Sequence, residues 1–498
     1  MGNLCGTRNP MVNSHPILNH SQTNIHSESE LIFSPGLFAR ENEGSFYSQY
    51  EVEPKSLGAG RNGDVRKCIH KKSKDERVVK IIAKSRLLKE EIETRAVFKE
   101  VEILKTVDHP NLPRIYEFFE DSDNFYIILE FCKGGDLFDK IVEMQEFSED
   151  QAAWIMHQIL SGLTYLHGMK IIHRDIKPEN ILLDDKSGLH LKIIDFDTAT
   201  FFCSSGYHRG IYGTALYMAP EIIKGRHTEK CDLWSCGIIL YILFCGRPPY
   251  DGTDDEIFEL LKHPKIDIDK ACAHISPAGR DLLGKLLEPD PKKRISAKDA
   301  CQHNWIKDYV QTSVSSNEVA KVLVNIKEFR RISKIREAIH TFIISKIMDP
   351  KTFQLEESVF NLMDSNCDGV LTKREIMGIL QKEMPIEEAE MYCDVIMENA
   401  DSDKNGYLDY TEFLRATIHT SKICTKENLL QAFKYFDENG NGVIEVNELR
   451  TALTDGAHIT EDLVMEIMKE ADKNHDGQID LNEFEDLLVG AVEKDIID

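Results

Sequence analysis

No stretch of this sequence is apolar for long enough to cross a bilayer. The longest apolar run, Cys236 to Cys245 (CGIILYILFC), falls well short of the roughly 20 residues a spanning helix needs and predicts a buried helix instead. The N-terminus has no basic start followed by an apolar stretch, so no secretory leader is expected. Among 12 cysteines there is no Cys-x-x-Cys pair, which argues against a zinc ribbon or a dithiol motif. Free thiols in a reducing compartment are the expectation. Positive charge is scarce where the chain ends. Residues 351–498 hold about 34 Asp plus Glu against about 13 Lys plus Arg, which accounts for most of the net charge of −25 and excludes nucleic acid as a natural partner for that surface.

What is present fits a soluble globular protein of several parts. Apolar content of 42% and charged content of 29% are ordinary, and 498 residues are too many for one core. Residues 1–45, rich in Asn, Ser and His with few apolar clusters, predict a disordered tail. Mixed alternating and helical patterns over residues 50–306 predict a two-lobed α+β domain. Lys307 to Ser316 is polar and expected to be loop. Within a junction of residues 307–350, Lys321–Met348 reads as one basic amphipathic helix. Val322, Ile326, Phe329, Ile335, Ile339 and Phe342 form its apolar positions, with Lys327, Arg330, Arg331, Lys334 and Arg336 between them. In residues 351–498 helices alternate with acidic loops, predicting an all-α domain.

The first domain carries an ordered set of phosphate-handling motifs. Gly58-x-Gly60-x-x-Gly63-x-Val65 would let backbone N–H groups approach phosphates, because glycine has no Cβ in the way. Lys80 sits in a strand-like run (VVKII), and Glu100 on a predicted helix (FKEVEILK) is its natural ion-pair partner. His173-Arg174-Asp175-Ile176-Lys177-Pro178-Glu179-Asn180 follows, then Asp195, then Ala219-Pro220-Glu221 and Asp232-x-Trp234. These residues resemble those of eukaryotic protein kinases. The resemblance implies that Asp175 orients and deprotonates a substrate hydroxyl and that Lys177 steadies the transferred phosphoryl group. Asn180 and Asp195 would hold magnesium.

The nucleotide-binding set it implies is Leu57, Gly58, Gly60, Gly63, Val65, Lys80, Glu130, Cys132, Asn180 and Asp195. Lys177 in its IKPEN context, with Gly213-Thr214 downstream, favours Ser/Thr over Tyr as acceptor. Asp136 and Glu179 stand where kinases that prefer basic substrates hold arginine, and either also reads as an ordinary surface carboxylate. Arg174 stands where a phosphorylated activation segment would be read, with Ser204 and Ser205 as candidate acceptors. Asp195-Phe196-Asp197 departs from the usual Asp-Phe-Gly. An active enzyme is expected, because every charged catalytic position is present. The other reading is a catalytically silent calcium-sensing scaffold with a kinase fold.

Four 12-residue loops follow at steps of 37, 36 and 35 residues, the period of a repeated unit. Oxygen ligands fall at positions 1, 3, 5, 7, 9 and 12 of each. The first supplies Asp364, Asn366, Asp368, the Val370 carbonyl, Thr372 and Glu375. The second supplies Asp401, Asp403, Asn405, the Tyr407 carbonyl, Asp409 and Glu412. The third supplies Asp437, Asn439, Asn441, the Val443 carbonyl, Glu445 and Glu448. The fourth supplies Asp472, Asn474, Asp476, the Gln478 carbonyl, Asp480 and Glu483. Glycine at position 6 of each gives the sharp turn, and calcium is the ligand this donor set suits. Loops two and four carry four carboxylates and are expected to bind more tightly than one and three, which carry three.

This part resembles calmodulin-like domains of two EF-hand pairs, and the whole order resembles calcium-dependent protein kinases of plant and protist type. That resemblance implies a calcium-activated Ser/Thr kinase using ATP, Mg2+ and Ca2+, with protein substrates that carry basic residues near the acceptor. It implies also that the junction helix blocks the cleft until the sensor lobes take it. Met1-Gly2-Asn3-Leu4-Cys5-Gly6 resembles an acylated terminus, with myristate on Gly2 and palmitate on Cys5, hence a cytoplasmic protein peripherally attached to membrane.

Overall fold

This computed structural model describes residues 34–489, apart from 43, 61–62, 187, 203–205, 311–315, 383 and 455–460. Gly2, Cys5, Ser204 and Ser205 lie outside the described residues. No helix among the described residues is long and apolar enough to cross a membrane.

The small lobe is a six-stranded sheet. Its strands are β1 (Arg40–Asn42), β2 (Tyr50–Gly60), β3 (Gly63–His70), β4 (Glu76–Ala83), β5 (Ile115–Glu120) and β6 (Asn124–Glu130), in the order β1-β5-β6-β4-β3-β2. β-Branched residues on both sides of Lys80 make β4 a good central strand, and its register sets Lys80 opposite Val65 on one side and Ile127 on the other. Helix α1 (Lys99–Thr106) packs beneath, burying Glu100 with Val101, Ile103 and Leu104.

In the large lobe α2 (Glu149–Gly168) and α3 (Lys230–Cys245) form the core. α3 contains the long apolar run and buries nearly every residue, which explains why it has no polar face. It stops at Gly246, whose φ of 66° gives the left-handed turn that a Cβ would strain.

The tail expectation fails at its C-terminal end. Residues 34–42 are ordered: a 3-10 turn, Pro35–Phe38, leads into β1, which adds to β5 in parallel. Leu37 and Phe38 are buried. Phe38 meets Phe342 edge-on at 5.3 Å, so two apolar residues in a polar stretch are enough to anchor it. Helix Asn304–Val310 likewise runs into the stretch expected to be loop.

The junction is two helices rather than one. α4 (Ser316–Glu328) and α5 (Lys334–Phe342) are separated by a break, and a π-turn, Ile343–Ile347, follows. The reason lies in the spacing. Nine residues from Ile326 to Ile335 rotate a helix by about 180° relative to its first stripe, so one rod could not bury both. α4 buries Val322, Leu323 and Ile326 against helices Gln354–Met363 and Tyr410–Thr417 of the first loop pair. α5 seats Ile335, Ala338 and Ile339 in an apolar groove with Phe436, Ile444 and Phe484 of the second pair. Within each pair the loops join through short antiparallel strands, with Leu371 opposite Leu408 and Ile444 opposite Ile479.

The acidic domain and the end of the junction pack on the two lobes through a face that contains none of the sequence-predicted catalytic residues. Thr411 N–H donates to Asp108 (2.9 Å), Arg114 to the Ile344 carbonyl (2.8 Å) and Lys346 Nζ to the Ile115 carbonyl (2.6 Å). The expectation of free thiols also fails at one pair: Cys301 and Cys367 are bonded. A separation of 66 residues, across two domains, leaves no spacing in the sequence that would mark them.

Candidate active site and calcium loops

Lys80 Nζ lies 2.8 Å from Glu100, 3.5 Å from Asp195 and 2.5 Å from Asp197. Burial opposes its charge, but the three carboxylates outweigh burial and hold its pKa above the usual lysine range. Burial, reinforced by the neighbouring carboxylates, pushes Asp195 and Asp197 upward. Carboxylate oxygens of Glu100, Asp195 and Asp197 converge within 4.8 Å of one another. Lys80 is the cation these three surround, and Asp195, together with the Asn180 side-chain oxygen, supplies the hard oxygen donors that fit magnesium.

Asp175 is held from both sides. Lys177 Nζ (2.9 Å) and Asn180 Nδ2 (3.1 Å) meet its Oδ2, and the Thr214 hydroxyl donates to Oδ1 (3.2 Å). Lys177 Nζ also reaches Thr214 Oγ1 at 3.0 Å, which closes a ring of polar contacts. Asn180 makes both of its bonds to Asp175 through Nδ2, an orientation that leaves the side-chain oxygen to face a cation.

The turn before Asp175 is fixed by Asp232, buried on α3. It accepts from the backbone N–H groups of His173 (3.1 Å) and Arg174 (2.8 Å) and lies 2.9 Å from His167 Nε2. Those bonds support Arg174 at a φ of 71°, a conformation that costs energy in a residue with a side chain. Its guanidinium donates to the Thr198 carbonyl (2.6 Å) and stacks on Tyr212 at 4.2 Å, so it is partnered without any phosphorylated residue.

Other expected residues divide in role. The Glu130 side chain is buried beside Lys192 (3.4 Å), leaving backbone as the part of this strand end a nucleotide would meet. Cys132 is buried, Leu57 is exposed, and the hairpin of Gly58, Gly60, Gly63 and Val65 is formed between β2 and β3. Asp136 caps the helix Leu137–Met144 by accepting from Asp139 N–H, which supports the ordinary reading of this residue. Glu179 is exposed near the catalytic turn. Sequence reasoning missed the Glu221–Arg294 pair, whose two N–H···O bonds lock the end of the activation segment to the large lobe. An Arg 73 residues away gives no local signal.

All four acidic loops share one geometry. The position 1 carboxylates of Asp364, Asp401, Asp437 and Asp472 accept from the position 6 glycines at 2.8, 2.9, 2.9 and 2.8 Å. Those glycines have φ between 78° and 89°, the left-handed region. Each position 12 glutamate accepts from the position 9 N–H: Glu375 (3.0 Å), Glu412 (3.1 Å), Glu448 (2.9 Å) and Glu483 (3.0 Å). Burial pushes Asp364 up to about 8, Asp409 to about 7 and Glu412 to about 9. Carboxylates gathered this closely at such burial need a cation or protons, and the oxygen-only donor set fits calcium.

Compared with known proteins, the chain matches the protein kinase domain over residues 50–306 and the EF-hand domain pair over residues 352–418 and 426–489. It is 37% identical over 434 residues to calcium-dependent protein kinase 4 of Plasmodium berghei (strain Anka), covering 83% of this chain and 81% of that protein. It is 36% identical over 411 residues to calcium-dependent protein kinase 5 of the same organism, covering 81% and 72% respectively.

Proposed function

This chain belongs to the calcium-dependent protein kinase family, and from that premise we propose how its parts divide the work. It is a calcium-activated Ser/Thr protein kinase that uses ATP, Mg2+ and Ca2+. Residues 50–306 form the catalytic domain in our reading, 307–350 the regulatory junction and 351–498 the calcium sensor.

Asp175 takes the proton of the acceptor hydroxyl, and the contacts from Lys177, Asn180 and Thr214 hold it in line. Lys80, kept charged by Glu100, steadies the nucleotide phosphates from beneath the glycine hairpin, and Lys177 offsets charge on the transferred group. Magnesium, held by Asn180 and Asp195, would neutralise phosphate oxygens. The EF-hand ligands named above take calcium.

One observation carries the regulatory reading: Lys80 and Glu100 are paired at 2.8 Å while α4 and α5 both lie against the EF-hand pairs. The arrangement corresponds on this reading to the activated enzyme. Without calcium the junction leaves those grooves and its basic stretch, Arg330-Arg331-Ile332-Ser333, blocks the substrate path. Charge supports the choice, since a basic segment is attracted by the acidic sensor. Basic substrates, met by Glu179, and acylation of Gly2 and Cys5 complete the proposal.

The test is phosphate transfer to a basic peptide across a calcium titration, with Asp175→Ala as control. Transfer should rise with calcium in the wild type and stay flat in the control. Equal transfer in calcium and in chelator would refute calcium control of catalysis.

A further inference from the structure

Cys301 ends helix Ala297–Cys301 of the large lobe, and Cys367 is position 4 of the first calcium loop. Their Cα atoms are 6.5 Å apart, within the usual span of a disulfide. His157 of α2 stands beside both, with Nδ1 3.4 Å from Cys301 Sγ and 4.0 Å from Cys367 Sγ. All three side chains are buried, and Cys367 packs as part of the large-lobe apolar core. The rest of the loop is as close. A Cβ on Gly369 would overlap the Tyr165 and His109 rings, and Asp368 lies 4.0 Å from Lys298. Loop one is therefore a fixed point of contact between sensor and catalytic lobe.

We propose that Cys301 and Cys367 form a redox-sensitive modification site whose disulfide pins the first calcium loop to the large lobe and uncouples catalysis from calcium. Hydrogen peroxide is the class of oxidant. One cysteine sulfur attacks a peroxide oxygen and the O–O bond breaks. The departing hydroxide takes the thiol proton as water, and a sulfenic acid remains. The second sulfur then attacks that sulfenic sulfur, the S–O bond breaks, and a second water leaves with the second thiol proton. Two thiols thus supply two electrons to one peroxide. Both sulfurs are buried in the docked arrangement, so small reagents such as peroxide and dithiothreitol reach them when the contact opens transiently, and the disulfide closes when it re-forms. The site then records the coincidence of oxidant and docking. That docking follows calcium and is active rests on the reading above.

The experiment uses the full chain, oxidised with hydrogen peroxide in calcium, quenched with catalase and alkylated. Peptides are mapped without reduction, and peptide phosphorylation is measured in calcium and in EGTA. The expected results are a Cys301–Cys367 cross-linked peptide and a calcium-to-EGTA rate ratio falling toward one, both reversed by dithiothreitol. Cys301→Ser and Cys367→Ser should keep the ratio of reduced wild type, and Cys424→Ser should oxidise like wild type. Absence of the cross-link, a cross-link with an unchanged ratio, or stoichiometric zinc bound in place of the disulfide would each overturn the proposal. A ratio near one at a low rate would leave the tether standing and instead overturn the assignment of the docked arrangement as active.

Discussion

Asp197 tests how far a single residue type can be read. Glycine at this position is associated with a free backbone turn, yet the residue with positive φ in Asp195-Phe196-Asp197 is Asp195, at 69°. Asp197 fits without that strain and adds a third carboxylate to Lys80. Its effect is therefore electrostatic. Replacing it by Asn should lower the KM for ATP about fivefold, the order expected for removing one screened charge near the phosphates, and a steady-state ATP titration would check this. Asp175→Ala should cost roughly a thousandfold in kcat, within the range for a positioned base, with little change in KM for the peptide. The Lys80–Glu100 pair and the glycine turns of the four acidic loops were legible in the sequence because each lies in a short motif. Thr214 closing on Asp175 and Lys177, and Arg294 holding Glu221, were not legible as contacts, because each partner comes from a distant turn.

Among the elements, the junction carries the clearest lesson. Val322, Ile326, Ile335, Ile339 and Phe342 were identified as its apolar positions, Leu323 and Ala338 were not, and the nine-residue step that divides them between two grooves passed for helical continuity. The π-turn that follows it buries Lys346, whose Nζ donates to the Ile115 carbonyl. Burial, helped by Arg77, Arg114 and Lys105 and opposed by Glu117, sets its pKa well below the ordinary value of 10.5. The docked arrangement then binds fewer protons than the separated one between that lowered value and 10.5, so docking strengthens as pH rises through this window and weakens as it falls. The calcium concentration for half-activation should be lower at pH 8.5 than at pH 7. Lys346→Met should remove the part of that difference due to this residue. Phe38, buried against Phe342, tests the short N-terminal segment. Phe38→Ala loses packing on the order of 3 kcal/mol, and the half-activating calcium concentration should rise.

Over the whole molecule, the two-lobed domain and the paired EF-hands were readable from motif order and loop period. Their mutual placement was not. Asp108 meeting Thr411, Arg114 meeting Ile344 and Cys301 joined to Cys367 are single contacts between segments with no shared pattern. A chain ending at residue 310 lacks both junction helices, α4 and α5, and the sensor. Compared with the intact protein in chelator, it should phosphorylate a basic peptide faster and show no response to calcium. Equal rates, with the shortened chain folded by circular dichroism, would show that the junction imposes no block.

The seating of loop one on Tyr165 and His109 has a further consequence, through linkage. Whatever favours this arrangement of the catalytic lobes must also tighten cation binding at that loop, by the same factor in both directions. The ionic threshold thus belongs to the assembled protein, and nucleotide or peptide occupancy can reset it. Isothermal titration of the free sensor domain should consequently report weaker first-loop affinity than the intact chain saturated with a non-hydrolysable ATP analogue.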